Sequence, residues 1–332
     1  MNKGIAFAGN LNVDQIKFIE QYPSPQALTS ILEIKKTLGG LVCNCAIDVA
    51  KLDSSIPLKA IGIVGEDDAG DFVLEEMKRY PSISCEAVKR TGQTSFTDVM
   101  TQPDGGRTFF QYRGANALLC PEDFDFNSIE ANILHIGYIL LLDGLDAPDP
   151  EYPTALCRVL KNAKDYGIKT SIDVVSEEGD RFSKLVPPAL QYTDYCMINE
   201  IEAGRTTGIL LRDGEKLIEE NMKPCLKKLA ELGVHEWVVI HTPELSCGYD
   251  VMNDKFYFEK SWDIPDGFKK SSVGAGDAFA SGMLIGAYYG WDLGKAIHIA
   301  GAIAAYSLSG FGSSNAIKAL PELLEEMKKY QK

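Results

Sequence analysis

The sequence predicts an α/β protein with a mainly parallel central sheet, helices on both of its faces, and a second, small β-sheet inserted from the N-terminal part. Three observations carry this. Short apolar, β-rich runs alternate with amphipathic segments along most of the 332 residues, the pattern of successive βα units. Two regions break that alternation with paired strand-like runs and no helix between them. Hydrophobic residues at 45% and charged residues at 24% match an ordinary folded protein long enough to bury a sizeable core.

Taken in order, "GIAFAGNL" (4–11), "LKAIGIVG" (58–65), "NILHIGYILL" (132–141), "KTSIDVV" (169–175), "YCMINE" (195–200) and "EWVVIHT" (236–242) read as buried strands. Amphipathic spacing predicts helices over Asp68–Arg79, Pro153–Tyr166, Gly214–Leu232 and Leu293–Ser307. Residues 14–36 carry "DQIKF" and "SILEIKK"; residues 94–113 read "TSFTDVM", a "PDGGR" turn and "RTFFQYR", a hairpin by its turn chemistry. Together they supply the small sheet. A further hairpin, "CGYDVMNDKFYFE", turns at Asn253 and Asp254. With no internal repeat and no low-complexity linker, residues 1–332 read as one domain with a hinged insertion.

The net charge of -14, from 47 acidic and 33 basic residues, comes without any lysine/arginine block longer than a pair. That argues against nucleic acid or a membrane surface as partner. A phosphate ligand would need a local device on such an acidic chain. Eight cysteines without a C-x-x-C pair read as buried small hydrophobes suited to a reducing cytoplasm, and four scattered histidines show no metal-ligand spacing. "MNKGIAFAGNLNVD" breaks at Asn10 before any hydrophobic region and is not a signal peptide. The longest uncharged apolar stretch, Ala278–Trp291, is too short to span a bilayer, and its Gly282 and Gly286 read as close helix packing.

The chemistry concentrates in "SSVGAGDAFASGM", Ser271–Met283. Gly274, Ala275 and Gly276 form a bend feeding a helix N-terminus, where unpaired backbone N–H groups converge into an anion hole. Asp277, at its edge, is placed to take a proton from an attacking hydroxyl. A plainer account has Asp277 merely occupying the first helical turn, where carboxylates gain about 0.3–1 kcal/mol. That position should also favour its anion and make it a weak base. The bend does not complete G-x-G-x-x-G/A, and "GWDLGKA" (290–296) lacks phosphate-loop spacing.

"SSVGAGDAFASGM" resembles the D-T-x-G-A-G-D-x-F-x-x-G signature of the ribokinase-like (PfkB) carbohydrate and nucleoside kinases, and the resemblance extends along nearly the whole chain. It implies a three-layer α/β/α fold whose small inserted sheet, about 14–36 and 94–113, is a lid that closes over the sugar and supports a homodimer. It implies Asp277 as catalytic base beside the anion hole. "GNLNVD" is similar to the family's opening strand, which implies that Asp14, with Asn12 beside it, binds sugar hydroxyls. "GGLVCNCAIDVAKL" carries a substrate-binding role onto Gly39, Gly40 and Asn44, and "GIVGEDDAGDFV" resembles the strand, loop and helix that follow. "NEIEA" resembles the N-x-x-E element that organises Mg²⁺ through water, implying Asn199 and Glu202. "RTFFQYRGANA" sets Arg107, Tyr112 and Arg113 where Tyr-Arg pairs of some relatives contact a substrate carboxylate or hydroxyl; exposed strand charges are the alternative.

Departures from the family pattern lie on the donor side. Ser271 and Ser272 replace Asp-Thr in a segment that helps form a K⁺ site in many relatives, which leaves a monovalent-cation requirement open. "VVIHTPELSCGYD" sets His241, Pro243 and Ser246 at the Thr and two Gly positions of the T-x-G-x-x-G nucleotide loop. Gly301 stands where some relatives carry an asparagine beside adenine, and "VVSEEGDR" after Asp173 lacks the usual asparagine. The implied function is ATP-dependent, Mg²⁺-requiring phosphorylation of a hydroxymethyl group on a small sugar or sugar acid. A nucleoside kinase of the same family, and a sugar-binding sensor with a degraded nucleotide loop, are the alternatives.

Overall fold

A computed structural model describes residues 3–177, 179–310 and 312–330. The chain runs β1 (Gly4–Gly9), β2 (Asn12–Ile19), β3 (Ile31–Gly39), α1 (Leu41–Leu52), β4 (Leu58–Val64), α2 (Asp68–Lys78), β5 (Ile83–Arg90), β6 (Ser95–Thr101) and β7 (Arg107–Tyr112). It continues through β8 (Ala131–Ile139), α3 (Asp143–Asp146), α4 (Ala155–Asp165), β9 (Lys169–Val174), α5 (Phe182–Leu190), β10 (Tyr195–Asn199) and α6 (Glu200–Thr207). The last part holds β11 (Arg212–Asp213), β12 (Lys216–Leu217), α7 (Met222–Glu231), β13 (Trp237–His241), β14 (Leu245–Asp250), β15 (Lys255–Lys260), α8 (Ala275–Tyr288), α9 (Leu293–Ser307) and α10 (Leu320–Met327).

Among the described residues the large sheet has nine strands in the order β15-β14-β13-β10-β9-β8-β1-β4-β5. All are parallel except the edge pairs β13–β14 and β14–β15. Its inner strands are buried on both faces, so they read as continuous apolar runs, while the edge strands β5 and β15 are partly exposed. On β1, Ile5 and Phe7 point into a core shared with α1, α2, α8, α9 and α10. Ala6 and Ala8, one residue out of phase, point into a core shared with α4 to α7. These two cores make the three layers. Among the described residues no helix is long and apolar enough to cross a membrane.

The small sheet has the order β3-β2-β6-β7. Two antiparallel hairpins are joined by the parallel pair β2–β6, so both expected insertions meet in one structure. The "PDGGR" turn closes as its residue types require, with Gly105 at φ +88° and its N–H on the Gln102 carbonyl at 3.0 Å.

One expected helix begins late. Gly214, at φ +58°, turns a short hairpin of β11 and β12, and α7 starts only at Met222. Apolar spacing before that point is satisfied by the hairpin and a 3₁₀ turn (Glu219–Asn221). The eight cysteines are free, with Cys85 and Cys120 half-buried and the others buried.

Close helix packing is borne out at Gly282, where an added Cβ would lie 2.7 Å from Ala300 Cα and 2.9 Å from Ile303 Cδ1. Backbone cannot yield there as a side-chain tip can. Gly282→Leu is therefore expected to separate α8 from α9 and cost about 1–3 kcal/mol or more of stability, read as a lowered midpoint of urea unfolding.

Candidate active site

The parallel strands end on one rim, where open α/β sheets bind ligands. β1 leads directly into Asn10; β8, β9, β10 and β13 bring Tyr138, Asp173, Asn199 and His241 to or near their C-terminal ends. Facing this rim is the first turn of α8. Gly274 precedes it at φ +80°, and a Cβ there would lie 2.5 Å from Ser313 Cα, so glycine is required on both counts.

Asp277 lies in that first turn and is 6% exposed. The Tyr138 hydroxyl contacts both of its carboxylate oxygens, at 2.7 and 2.9 Å, and Asn44 Nδ2 donates to Oδ2 at 2.9 Å. Ser313 Oγ donates to Asn44 Oδ1 at 2.6 Å, which keeps the amide nitrogen facing Asp277. Burial pushes the Asp277 pKa up, against the lowering effect of Tyr138 and Asn44. This direction is opposite to the one expected from the helix end alone, and loss of water is its largest cause.

Asp277 closes one end of a cavity of about 510 Å³ that Asn12, Asp14, Gly40 and Asn44 also line. Asn12 Nδ2 donates to Asp14 Oδ1 at 2.8 Å and to Thr97 Oγ1 at 2.7 Å, tying the β1–β2 connection to β6. Burial lifts the Asp14 pKa to about 6, with the Asp277 charge adding to it. Gly39 is packed on this carboxyl, since a Cβ there would lie 2.5 Å from it. Gly40, at φ +83°, leaves only 2.5 Å between an added Cβ and the Asn10 carbonyl.

Asn199 and Glu202 form a reciprocal helix cap. Asn199 Oδ1 accepts from Ile201 N and Glu202 N, each at 2.9 Å, while Glu202 Oε2 accepts from Asn199 N at 3.0 Å. Both also line the cavity, together with Asp173. Burial lifts the Glu202 pKa to about 7. Asp173 is pushed well above the usual range by burial, then by Glu202 and Asp277. Among the described residues no group of three or more His, Cys, Asp or Glu side chains could hold a metal ion. Buried carboxylates lacking a cation do fit Mg²⁺ that arrives on phosphates and keeps its waters.

A second cavity, of about 520 Å³, shares Asn199, His241 and Gly276 with the first. Trp262, Ile264 and Ile297 give it apolar walls, and Pro243, Ser246 and Gly301 line it as well. The His241 ring packs on Phe279 with centroids 5.1 Å apart; burial lowers its pKa to about 4, so it is neutral near pH 7.

The structure brings the remaining sequence candidates elsewhere. Arg107 reaches from β7 to donate to Ser271 Oγ at 3.2 Å. Tyr112 donates to Gln93 Oε1 at 3.2 Å, and Arg113 pairs with Asp143 and Glu177. None of the three lines the first cavity. Sequence reasoning missed Asn10, Tyr138 and Asp173 as site residues. The available signal was positional: each is polar and falls at or just past the C-terminal end of a buried strand.

Comparison with known proteins places this geometry. The family model described as pfkB family carbohydrate kinase matches residues 2–320, so the chain belongs to that family and is an ATP-dependent carbohydrate kinase by class. A ribokinase of Staphylococcus aureus is 27% identical over 242 residues, covering 70% of this chain and 71% of the relative. An ATP-dependent ribose-1-phosphate kinase of Halopiger xanaduensis is 24% identical over 311 residues, 93% of each chain. Arabidopsis thaliana ribokinase, solved with ribose and ATP, superposes with a TM-score of 0.81 at 22% identity, covering 99% of both chains. The fold is that of the ribokinases.

The buried carboxyls also set a stability profile. Asp14, Asp146 and Glu202 have pKa values raised to about 6, 6 and 7. From the usual carboxylate value near ~4 up to those values, the folded state binds protons that the unfolded state has released. Stability therefore falls as pH rises through this window. The Tm of the free protein is expected to be a few degrees lower at pH 8 than at pH 5 by scanning calorimetry. A flat or rising Tm would contradict the assignment.

Proposed function

We propose that the chain transfers the γ-phosphoryl group of ATP to a hydroxymethyl group of a small sugar-like acceptor, with Asp277 as general base. The observation that carries this is positional. A buried carboxylate and a glycine-bent helix N-terminus stand together at the junction of two cavities, one polar and lined by carboxylates and amides, the other walled by apolar side chains.

The acceptor occupies the first cavity, with Asn12, Asp14 and Asn44 gripping its hydroxyls. ATP lies with its base in the slot beside Trp262 and Gly301 and its phosphates passing His241 toward Gly274–Gly276. The acceptor oxygen attacks Pγ, the bond from Pγ to the β-bridging oxygen breaks, ADP departs, and the hydroxyl proton moves to Asp277. Backbone N–H groups at 274–276 face the charge on the transferring group. Asn199, Glu202 and Asp173 would hold a Mg²⁺ that arrives with the nucleotide, and that ion would supply charge neutralisation. The small sheet closes over the acceptor and keeps water from competing as phosphoryl acceptor.

The apolar donor-side cavity favours turnover over a purely sugar-binding sensor. A nucleoside acceptor remains the second reading within the family, favoured by Phe109 and Leu141 on the wall of the first cavity.

Asp277→Asn is expected to keep the fold and acceptor binding while lowering kcat by about 10² or more. Circular dichroism, calorimetric binding and steady-state kinetics read these separately. Near-normal turnover would remove Asp277 as the base.

The small sheet also supports a homodimer, because it carries exposed Leu32, Ile34 and Phe110, an apolar surface of the kind that marks self-association. Sedimentation analysis is expected to give a dimer for the native chain and a monomer for Ile34→Glu. A native monomer at micromolar concentration would count against it.

A further inference from the structure

We infer that the acceptor is an uncharged polyhydroxy compound, and that sugar acids and sugar phosphates are excluded from the first cavity. This rests on the reading of that cavity as the acceptor site and narrows it to a class.

Two independent features carry the inference. Asp14, Asp173, Glu202 and Asp277 all line the cavity, while no described lysine or arginine does. Three arginines are engaged elsewhere: Arg107 on Ser271, Arg113 on Asp143 and Glu177, and Arg181 on Asp146 and Glu177. A Mg²⁺ arriving on the nucleotide would offset charge at Asp173 and Glu202, but the phosphates carrying it would themselves be anionic. An acceptor carboxylate or phosphate would meet only carboxyl and neutral groups there, with no described cationic side chain on the wall to pair with it.

The second feature is what the cavity leaves unpaired. Asn10 and Asn12 line it and are 1% and 3% exposed, yet Asn10 Nδ2 and Asn12 Oδ1 have no hydrogen-bond partner. A buried donor and a buried acceptor left open are costly unless a ligand fills both. Both groups are neutral and lie beside Asp14. A hydroxyl both donates and accepts, so vicinal hydroxyls satisfy this set; a carboxylate or phosphate accepts only and would meet Asn12 Oδ1 and Asp14 with lone pairs.

The test uses the full chain with Mg²⁺ and ATP, and matched probes that share a primary hydroxyl: D-ribose against D-ribonate and against ribose 1-phosphate, with adenosine as a further neutral probe. At least one neutral probe is expected to be phosphorylated, with kcat/KM about 100-fold or more above the anionic ones. Equal or better use of ribonate or ribose 1-phosphate overturns the inference. Gln111→Arg, which sets a cation on the cavity wall, is expected to narrow the gap about tenfold, and an unchanged gap counts against it. If no probe is phosphorylated, calorimetric binding of the same probes decides the charge question. Binding of a neutral probe without its anionic counterpart then supports the inference, and tighter anionic binding, or no neutral binding, overturns it.

Discussion

The site depends on a carboxylate shut away from water. Asp277 pays for burial with a raised pKa, and it persists there because a strand, a helix and a loop converge on it. Tyr138 comes from the end of β8, Asn44 from α1, and Ser313 from the loop after α9 fixes the Asn44 amide. Each hydrogen bond to an ionised group is worth about 1.5–3 kcal/mol, enough in sum to offset much of the desolvation. The result is a carboxylate held in one orientation, as the proposed base requires. Tyr138 is raised well above its usual range by burial and by Asp277, so it stays protonated and remains a donor. It leaves the acceptor hydroxyl to compete for lone pairs on a carboxylate whose position it fixes.

That arrangement follows from the sheet. Parallel strands deliver their C-terminal ends to one rim, and α8 returns beneath it to present its N-terminus. Neither cavity belongs to a single element: Asn199, His241 and Gly276 line both. A Cβ at position 276 would stand 3.5 Å from the His241 ring, in the passage between them. The glycine therefore does more than permit a bend. It keeps open the path along which a phosphoryl group would pass from one cavity to the other.

Much of this was legible because it is local. The GAGD bend, the N-x-x-E cap and the strand rhythm are each written within a few residues, and local geometry realises them. What was hidden involves distance or side. Tyr138 lies 139 residues from Asp277 inside a run that reads simply as a buried strand, so only its place near the strand's C-terminal end marks it. On β7 the strand face separates the candidates only in part. Side chains alternate along a strand, so Phe109 and Gln111 line the cavity and Arg107, in the same phase, reaches Ser271. Tyr112, one step out of phase, turns to Gln93. Adjacent letters in "RTFFQYR" thus belong to opposite surfaces. The N-x-x-E pair shows a different limit, since Asn199 and Glu202 both cap α6 and line the cavity. A structural role and a site role coincide in the same atoms.

The donor loop shows how departure from a motif differs from decay. Without the usual glycines, β13 and β14 are joined by three residues, Thr242, Pro243 and Glu244. The Thr242 hydroxyl oxygen accepts from Glu244 N at 3.1 Å and Leu245 N at 3.0 Å, and Thr242 N donates to the Leu245 carbonyl at 2.9 Å. Proline fits the first position of such a turn because its φ is preset and no donor is asked of it. Arg212 then clamps Glu244 at 2.7 Å. A loop losing its function would be expected to loosen or to fill the space it once framed. This one is tied at every backbone donor it has, and it borders a cavity of about 520 Å³. The substitutions exchange glycine flexibility for a rigid turn, and the neutral His241 ring replaces a hydroxyl at the passage between the cavities. On the proposed reading, the phosphates would meet a neutral ring and a rigid turn here, beside a cavity of about 520 Å³ that would take the nucleotide.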